Sequence, residues 1–501
     1  MISPASSTWA ERARLSAPRI AAALFTLWLV AMIVSAFEWA PGLHDNDFPL
    51  LVWLGRHVRW NDLSTITIGH YSPLALLMLG AFSWLGDALV LAKTVNLACV
   101  AGAAVLVSRL ARQLGDDDPV HGYVASAFFL ISAEVVLVGQ SEFGDPPVVL
   151  LFLLGLDRLL AGRWLLAGIA LGGATLFRIY APSFVLATLV LVAALRVAPW
   201  RRLPALAFGP VVAAALQAAI YWLGQRRLSS PVAEFVVGQV LYRYDEFNYL
   251  DTWNEYPMRD VLTLYRADLV DLVIVRLKSF PPHLIPALVV ATVAAVRARE
   301  RRTSLLLSLL AIYYAAYACL SWGITTRLML LPVGLLAVMV GAAARGRAMH
   351  VASAVALVCA LGHSVSVVPG ELASVRDERA MSAELTTVLR EAGLRSAREA
   401  FVFDWDRSLT DDPTYEPYYN FGFWNILSAR FREERPSPFR VSDDPVAFSR
   451  FLRENGAKFV VFRVHHWRFP ELYAIQQGEA ELPGYQRIAR LSFATVYRQV
   501  E

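Results

Sequence analysis

Residues 37–93 read FEWAPGLHDNDFPLLVWLGRHVRWNDLSTITIGHYSPLALLMLGAFSWLGDALVLAK. The stretch follows the first long apolar run, Ile20–Phe37, and soon presents two carboxylates, Asp45 and Asp47. An amphipathic piece, Phe48–Trp60, leads to an Asn61-Asp62 turn. His70-Tyr71-Ser72-Pro73 then opens a second apolar piece, Leu74–Leu85. That piece is only a dozen residues long, and a helix needs about 20 apolar residues to cross a bilayer. It is therefore expected to lie along the membrane surface. Carboxylates beside a surface helix, with Lys93 at the head of the next apolar run, make a place suited to a phosphate carried on a lipid.

The rest of the chain fits such a setting. It has 501 residues, 56% of them hydrophobic, and a mean hydropathy of +0.46, which places it among polytopic membrane proteins. A net charge of +4 is too small for this length to point to nucleic acid. Cys99, Cys319 and Cys359 all fall inside apolar runs and read as small buried hydrophobes, giving neither a disulfide framework nor a metal site. Arg12, Arg14 and Arg19 precede the first run, and Val34-Ser35-Ala36 offers a cleavage-site pattern. The run is long for a signal core and many others follow it, so an uncleaved first span is expected.

Apolar runs recur at about 20–37, 88–108, 123–139, 146–156, 164–177, 180–195, 203–224, 282–296, 303–321, 328–344 and 349–368, or about eleven spans. One set of connectors carries Arg12/Arg14/Arg19, Arg109/Arg112, Arg158/Arg163, Arg196/Arg201/Arg202, Arg297/Arg299/Arg301/Arg302 and Arg345/Arg347. Short arginine-rich loops mark the cytoplasmic side, and the alternation stays in phase only if Leu74–Leu85 does not cross. The N-terminus is then cytoplasmic, in a cell membrane. The opposite face receives residues 37–87, the loop 140–147 with Glu142 and Asp145, Arg178, the segment 225–281, Arg327 and the tail. In the 225–281 segment, aromatics alternate with carboxylates, Tyr244, Asp245 and Trp253 among them. Rings stack on sugar faces and carboxylates accept sugar hydroxyls; an interfacial aromatic belt is the other reading.

Beyond Pro369 the composition turns soluble. A charged helical period covers Val375–Ala392, with Gly393 as its stop. Phe401–Phe403 and Lys458–Phe462 read as buried strands, Asp443-Asp444-Pro445 caps a helix running to Asn455-Gly456, and Arg487–Arg498 reads as a last strand or hairpin. The expected architecture is a polytopic α-helical membrane domain with juxtamembrane helices (1–369) and a small extracytoplasmic α/β domain (370–501). No nucleotide fingerprint, serine elbow or metal-ligand spacing occurs in the tail.

Taken in order, these residues resemble the GT-C glycosyltransferases, in the branch of protein O-mannosyltransferases and the lipid A aminoarabinose transferase. That family carries an acidic pair after its first span and a Gly-Asp turn fifteen residues later. Here Asn46-Asp47 precedes Asn61-Asp62 at that spacing. The family's first acid is replaced by Asn46, with Asp45 one place earlier, which leaves two candidates for its base. Ser72-Pro73, Gly86 and Lys93 fall where the family has a proline-led helix, a glycine and an arginine. Asp145-Pro146 matches a further acid that opens a span. Arg178 after Gly172-Gly173, and Arg327 before a Leu-Pro span, match basic positions.

The resemblance implies sugar transfer from a polyprenyl-phosphate donor to a lipid, glycan or protein acceptor on the non-cytoplasmic face, by inverting, base-assisted displacement. Asp47 or Asp45 would act as base, and Lys93, Arg178, Arg327 and His70 would hold the donor phosphate. Asp145 would belong to the catalytic set. Glu142, Tyr244, Asp245 and Trp253 would meet acceptor or sugar. A divalent cation could join the acids at residues 142 and 145. Each assignment has a plainer counterpart: a helix cap for Asp47, snorkelling at a span end for the cations, a structural interfacial role for His70. A transporter or flippase, or a non-catalytic GT-C relative, is the alternative for the whole chain. A transporter would set ionisable groups near the bilayer middle, whereas here they gather at one face.

Overall fold

The computed structural model describes residues 5–39, 58–63, 72–141, 144–178, 180–225, 280–318, 329–395, 399–404, 444–454, 456–463, 470–492 and 494–500. Each apolar run is helical within them. The first helix, α1 (Ala5–Val34), runs into a π-helical turn at Ser35–Trp39 and is followed by α2 (Pro73–Leu85) and α3 (Ala88–Leu114). Next come α4 (Pro119–Ile131), α5 (Ala133–Ser141), α6 (Asp145–Leu160), α7 (Trp164–Thr175), α8 (Ala181–Ala194) and α9 (Leu203–Gln225). A 3-10 turn at Pro282–Leu284 heads α10 (Ile285–Ala298), which precedes α11 (Arg301–Ala318), α12 (Leu330–Ala343) and α13 (Gly346–Glu391).

This is an integral membrane protein. Among the described residues, four helical stretches are long and apolar enough to cross a bilayer: Pro18–Glu38, Ala88–Leu114, Trp200–Gly224 and Gly346–Ser374. The pair α4–α5, bent by 61°, makes a fifth if counted as one span. The remaining apolar runs form shorter helices, so eleven is the number of runs that become helical and four or five the number meeting a span's length and composition. Leu27 on α1, Val211 and Leu223 on α9, and Val358 and Val365 on α13 are exposed, as expected of faces that meet lipid. At 13 residues, α2 measures about 20 Å at 1.5 Å per residue, short of the ~30 Å hydrocarbon core.

The centre of the bundle is α12. All fourteen of its residues are buried, as the absence of any polar face predicts. Glycines let other helices approach closely. A Cβ at Gly209 on α9 would lie 2.1 Å from the Gly168 carbonyl oxygen, and one at Gly172 would lie 2.4 Å from the Gly209 backbone. Gly168 and Gly172 on α7 thus form a small-residue stripe against which α9 seats backbone to backbone. Gly209→Leu is expected to separate these helices and abolish a monodisperse peak in detergent gel filtration. An unchanged elution profile and melting midpoint would refute the close crossing. At the arginine-rich end, Asp157 is fully buried and accepts from Arg109 Nε at 3.2 Å and Gln113 Nε2 at 2.9 Å, tying α6 to α3.

The tail folds on both sides of a four-stranded sheet of order β1-β2-β4-β3. Strand β1 (Ala400–Asp404) runs parallel to β2 (Phe459–Arg463), while β3 (Tyr485–Arg490) and β4 (Thr495–Gln499) form an antiparallel hairpin, with β4 against β2. Helix α14 (Pro445–Glu454) is capped by Asp444, whose Oδ1 accepts from Val446 N at 2.9 Å. A further helix, α15 (Pro470–Gln477), has no counterpart in the sequence reading. Burial pushes the Tyr485 hydroxyl up to about 12, with Arg453 pulling the other way, so at neutral pH it stays a donor to the Ala457 carbonyl at 2.8 Å.

Two findings alter the expected plan. The span at 349–368 and the helix at Val375–Ala392 are one 46-residue helix, α13, which passes through Pro369. Proline costs a helix one hydrogen bond and crowds the carbonyl four residues earlier. Both Val365 and Pro369 are exposed, where a local bend disturbs no packing. The last turns of α13 then bury Leu385 and Leu389 against Ala400, Phe459, Val461 and Val496. Helix α2 also lies against protein: one apolar cluster joins its Leu76 and Leu79, and Leu89 of α3, to Phe448, Leu452, Phe462 and Ile475 of the tail.

Candidate functional site

The N-terminus of α6 is where separated sequence motifs meet. Asp145 is the first residue of that helix and is 1% exposed. Gly144 before it takes the left-handed φ of +108°, and a Cβ there would sit 3.0 Å from Arg178 Nε. Only glycine satisfies both demands, and the bare backbone lets the guanidinium close on the helix start. Arg178 Nη2 donates to Asp145 Oδ2 at 2.5 Å, and the Tyr180 hydroxyl donates to Oδ1. Both carboxylate oxygens therefore hold donors, and the Arg178 side chain is itself only 14% exposed.

Arg178 gains its place from α7. That helix ends at Thr175, whose carbonyl accepts from Gln217 Nε2 of α9 at 2.7 Å. The next carbonyl, of Leu176, accepts the hydroxyl of Ser72. Ser72 occupies the cap position of α2 but makes no side-chain cap; its hydroxyl reaches across to the turn that carries Arg178. Residues 72–73, 144–146, 176–178 and 180 are thereby held together.

Lys93 lies one turn into α3 and is 1% exposed, so it does not snorkel to water. Its ammonium donates to the Ala36 carbonyl at 3.0 Å, at the π-helical turn from which the acidic stretch departs. The same turn is tied to α5 by Ser35 Oγ donating to Gln140 Oε1 at 2.8 Å. Lys93 is thus lodged under the root of the 37–87 stretch. Asp45, Asp47, His70, Glu142, Tyr244, Asp245, Trp253 and Arg327 lie outside the described residues. Tyr180 and Ser72 had no assigned role in the sequence, though an Arg-x-Tyr step after a glycine-rich helix was there to be noticed.

Chemically, the arrangement presents a guanidinium whose plane is fixed by a buried carboxylate, beside a helix N-terminus that favours negative charge. Such a fork suits a phosphate. Asp145 does not fit a cation ligand here, because one of the donors on its oxygens is itself positively charged.

No family model and no curated protein sequence matches the chain. Solved structures do. ArnT from Cupriavidus metallidurans bound to undecaprenyl phosphate is similar at 14% identity and a TM-score of 0.58, over 96% of this chain and 98% of that one. The Archaeoglobus fulgidus oligosaccharyltransferase in complex with Zn and sulfate is similar at 14% identity and a TM-score of 0.51, over 95% and 73%. The same archaeal enzyme, AglB, with an inhibitory peptide and a dolichol-phosphate, gives 13% identity and a TM-score of 0.50, over 97% and 75%. ArnT and AglB are both GT-C proteins, and at this identity the likeness speaks to architecture, along nearly the whole length: the chain has the GT-C fold.

Proposed function

We propose that the chain transfers a sugar from a polyprenyl-phosphate donor to a lipid, glycan or protein acceptor on the non-cytoplasmic face of a cell membrane. The observation that carries this reading is the meeting of Ser72, Asp145, Arg178 and Tyr180 at one helix start, on a fold shared end to end with a protein bound to undecaprenyl phosphate. Arg178 holds the donor phosphate and stabilises the charge that grows on it as the sugar departs. Asp145 is a positioning residue for Arg178. Asp45 or Asp47 takes the proton of the acceptor hydroxyl, and attack opposite the leaving phosphate inverts the anomeric centre. Lys93 adds positive charge beneath the acidic stretch. Residues 225–281, with Tyr244, Asp245 and Trp253, contact sugar or acceptor. The N-terminus is cytoplasmic and the tail extracytoplasmic.

The test is transfer by the purified protein from a panel of radiolabelled polyprenyl-phosphate sugars to membrane extracts. Label entering extract glycoconjugates from one donor, with the opposite anomeric configuration in the product, is expected. Absence of transfer from every donor, together with no retention of undecaprenyl phosphate, would overturn the reading. Chelator treatment and metal add-back in the same assay measure cation dependence.

A further inference from the structure

A second polar centre sits inside the membrane domain, at the bend between α4 and α5. The bend carries Ser132 and no proline or glycine, so the backbone carbonyls that it frees need partners from elsewhere. Trp28 Nε1 of α1 donates to Leu130 O at 2.9 Å, and Ser364 of α13 donates its hydroxyl to Ile131 O. The bend therefore pins α13 against the start of α5, where Glu134 is 3% exposed. His283 Nε2, from the turn before α10, lies 2.8 Å from Glu134 Oε1. His363, the neighbour of Ser364, stacks on His283 with ring centroids 3.6 Å apart and planes 9° from parallel. The other carboxylate oxygen, Glu134 Oε2, is buried with no hydrogen-bond partner among the described residues.

We propose that Glu134, His283 and His363 form a binding site for a divalent transition-metal ion of the zinc type. One ligand atom from each lies within 4.8 Å of the others. Two imidazoles and one carboxylate are the donor set of a three-ligand zinc site that leaves a fourth position for water. At Zn–N and Zn–O lengths near 2.1 Å, tetrahedral ligand atoms stand about 3.4 Å apart. Closing from the observed spacing needs small movements, with the two rings turning out of their parallel stack. The unpartnered oxygen of Glu134 gains a partner, and the ion's charge offsets a carboxylate buried among apolar helices. The three ligands come from three elements distant in sequence, and the ion would lock α5, α10 and α13 to one another.

This site is independent of Asp145 and of the proposed transfer, and its test reads the ion itself. The full-length protein, purified in detergent and stripped with chelator, is titrated with zinc and, separately, with cobalt. One equivalent of zinc, visible cobalt absorption of tetrahedral intensity and a raised melting midpoint are expected. Glu134→Gln, His283→Gln and His363→Gln should each weaken zinc binding by at least about 100-fold, since even residues that only support a ligand reach that range. No cobalt absorption and no retained zinc in the unaltered protein would overturn the proposal whatever the variants do. So would undiminished affinity in all three substitutions.

Discussion

Arg178→Gln is expected to lower sugar transfer by about 10²–10³-fold, the loss seen when one donor is removed from a developing negative charge, and to weaken donor binding as well. The ground-state phosphate is already anionic, so the guanidinium contributes before and during the reaction. The substitution has a second consequence. It leaves Asp145, 1% exposed, without its cationic partner, and removing one side of a buried ion pair costs about 3–5 kcal/mol of stability. Loss of activity alone would not separate these effects. The double variant Asp145→Asn with Arg178→Gln does. The stranded charge is gone, Tyr180 still has a side-chain oxygen to donate to, and folding should recover. Transfer should not recover, because nothing replaces the fork that grips phosphate. A double variant that regained both its melting midpoint and its turnover would mean that the pair serves only the fold. Asp145→Asn alone should retain the guanidinium but loosen its aim, giving a smaller loss that falls mainly on kcat.

The helices were legible because lipid permits so little else: a long apolar segment with every backbone group satisfied within itself is a helix. The central place of α12 was not among these readings, since α7 and α8 are equally without a polar face and yet expose Leu166 and Leu186. What escaped the sequence depended on partners far along the chain. The bend at Ser132 is hard to read in the run 123–139, because no proline or glycine marks it and the carbonyls it frees are met by Trp28 and Ser364, far along the chain. Glu134 and His363 therefore lie in the apolar runs 123–139 and 349–368 with nothing local to single them out. Pro369 was overread for the opposite reason. A local breaker suggested a boundary that the exposed face of α13 did not require.

At the candidate site, Asp145 and Arg178 were both picked out, as an acid and a cation with separate duties. What pairs them is the three-residue turn at 161–163, which folds α7 back along α6 and returns Arg178 and Tyr180 to the start of α6. Ser72 shows the same limit. Its place before Pro73 announces a helix cap, yet its hydroxyl is used 104 residues away.

Asp45→Asn or Asp47→Asn should have the largest effect of any single change. One of the two is expected to lose about 10²–10⁴-fold in transfer rate, the usual contribution of a general base, with donor binding intact. The amide keeps the size of the carboxylate and can still accept a hydrogen bond, but it cannot hold the proton that the acceptor hydroxyl must lose. Lys93 is buried and donates to the Ala36 carbonyl, at the turn that precedes the acidic stretch. A helix cap would behave otherwise, since asparagine and aspartate cap about equally well and the substitution would be nearly silent. The contrast with Arg178 is in the binding step: a base variant should hold undecaprenyl phosphate as tightly as the unaltered protein, whereas Arg178→Gln should not. Near-normal transfer by both asparagine variants would remove these two carboxylates from the reaction. Attention would then pass to Glu142, because Asp145 already spends both oxygens on Arg178 and Tyr180.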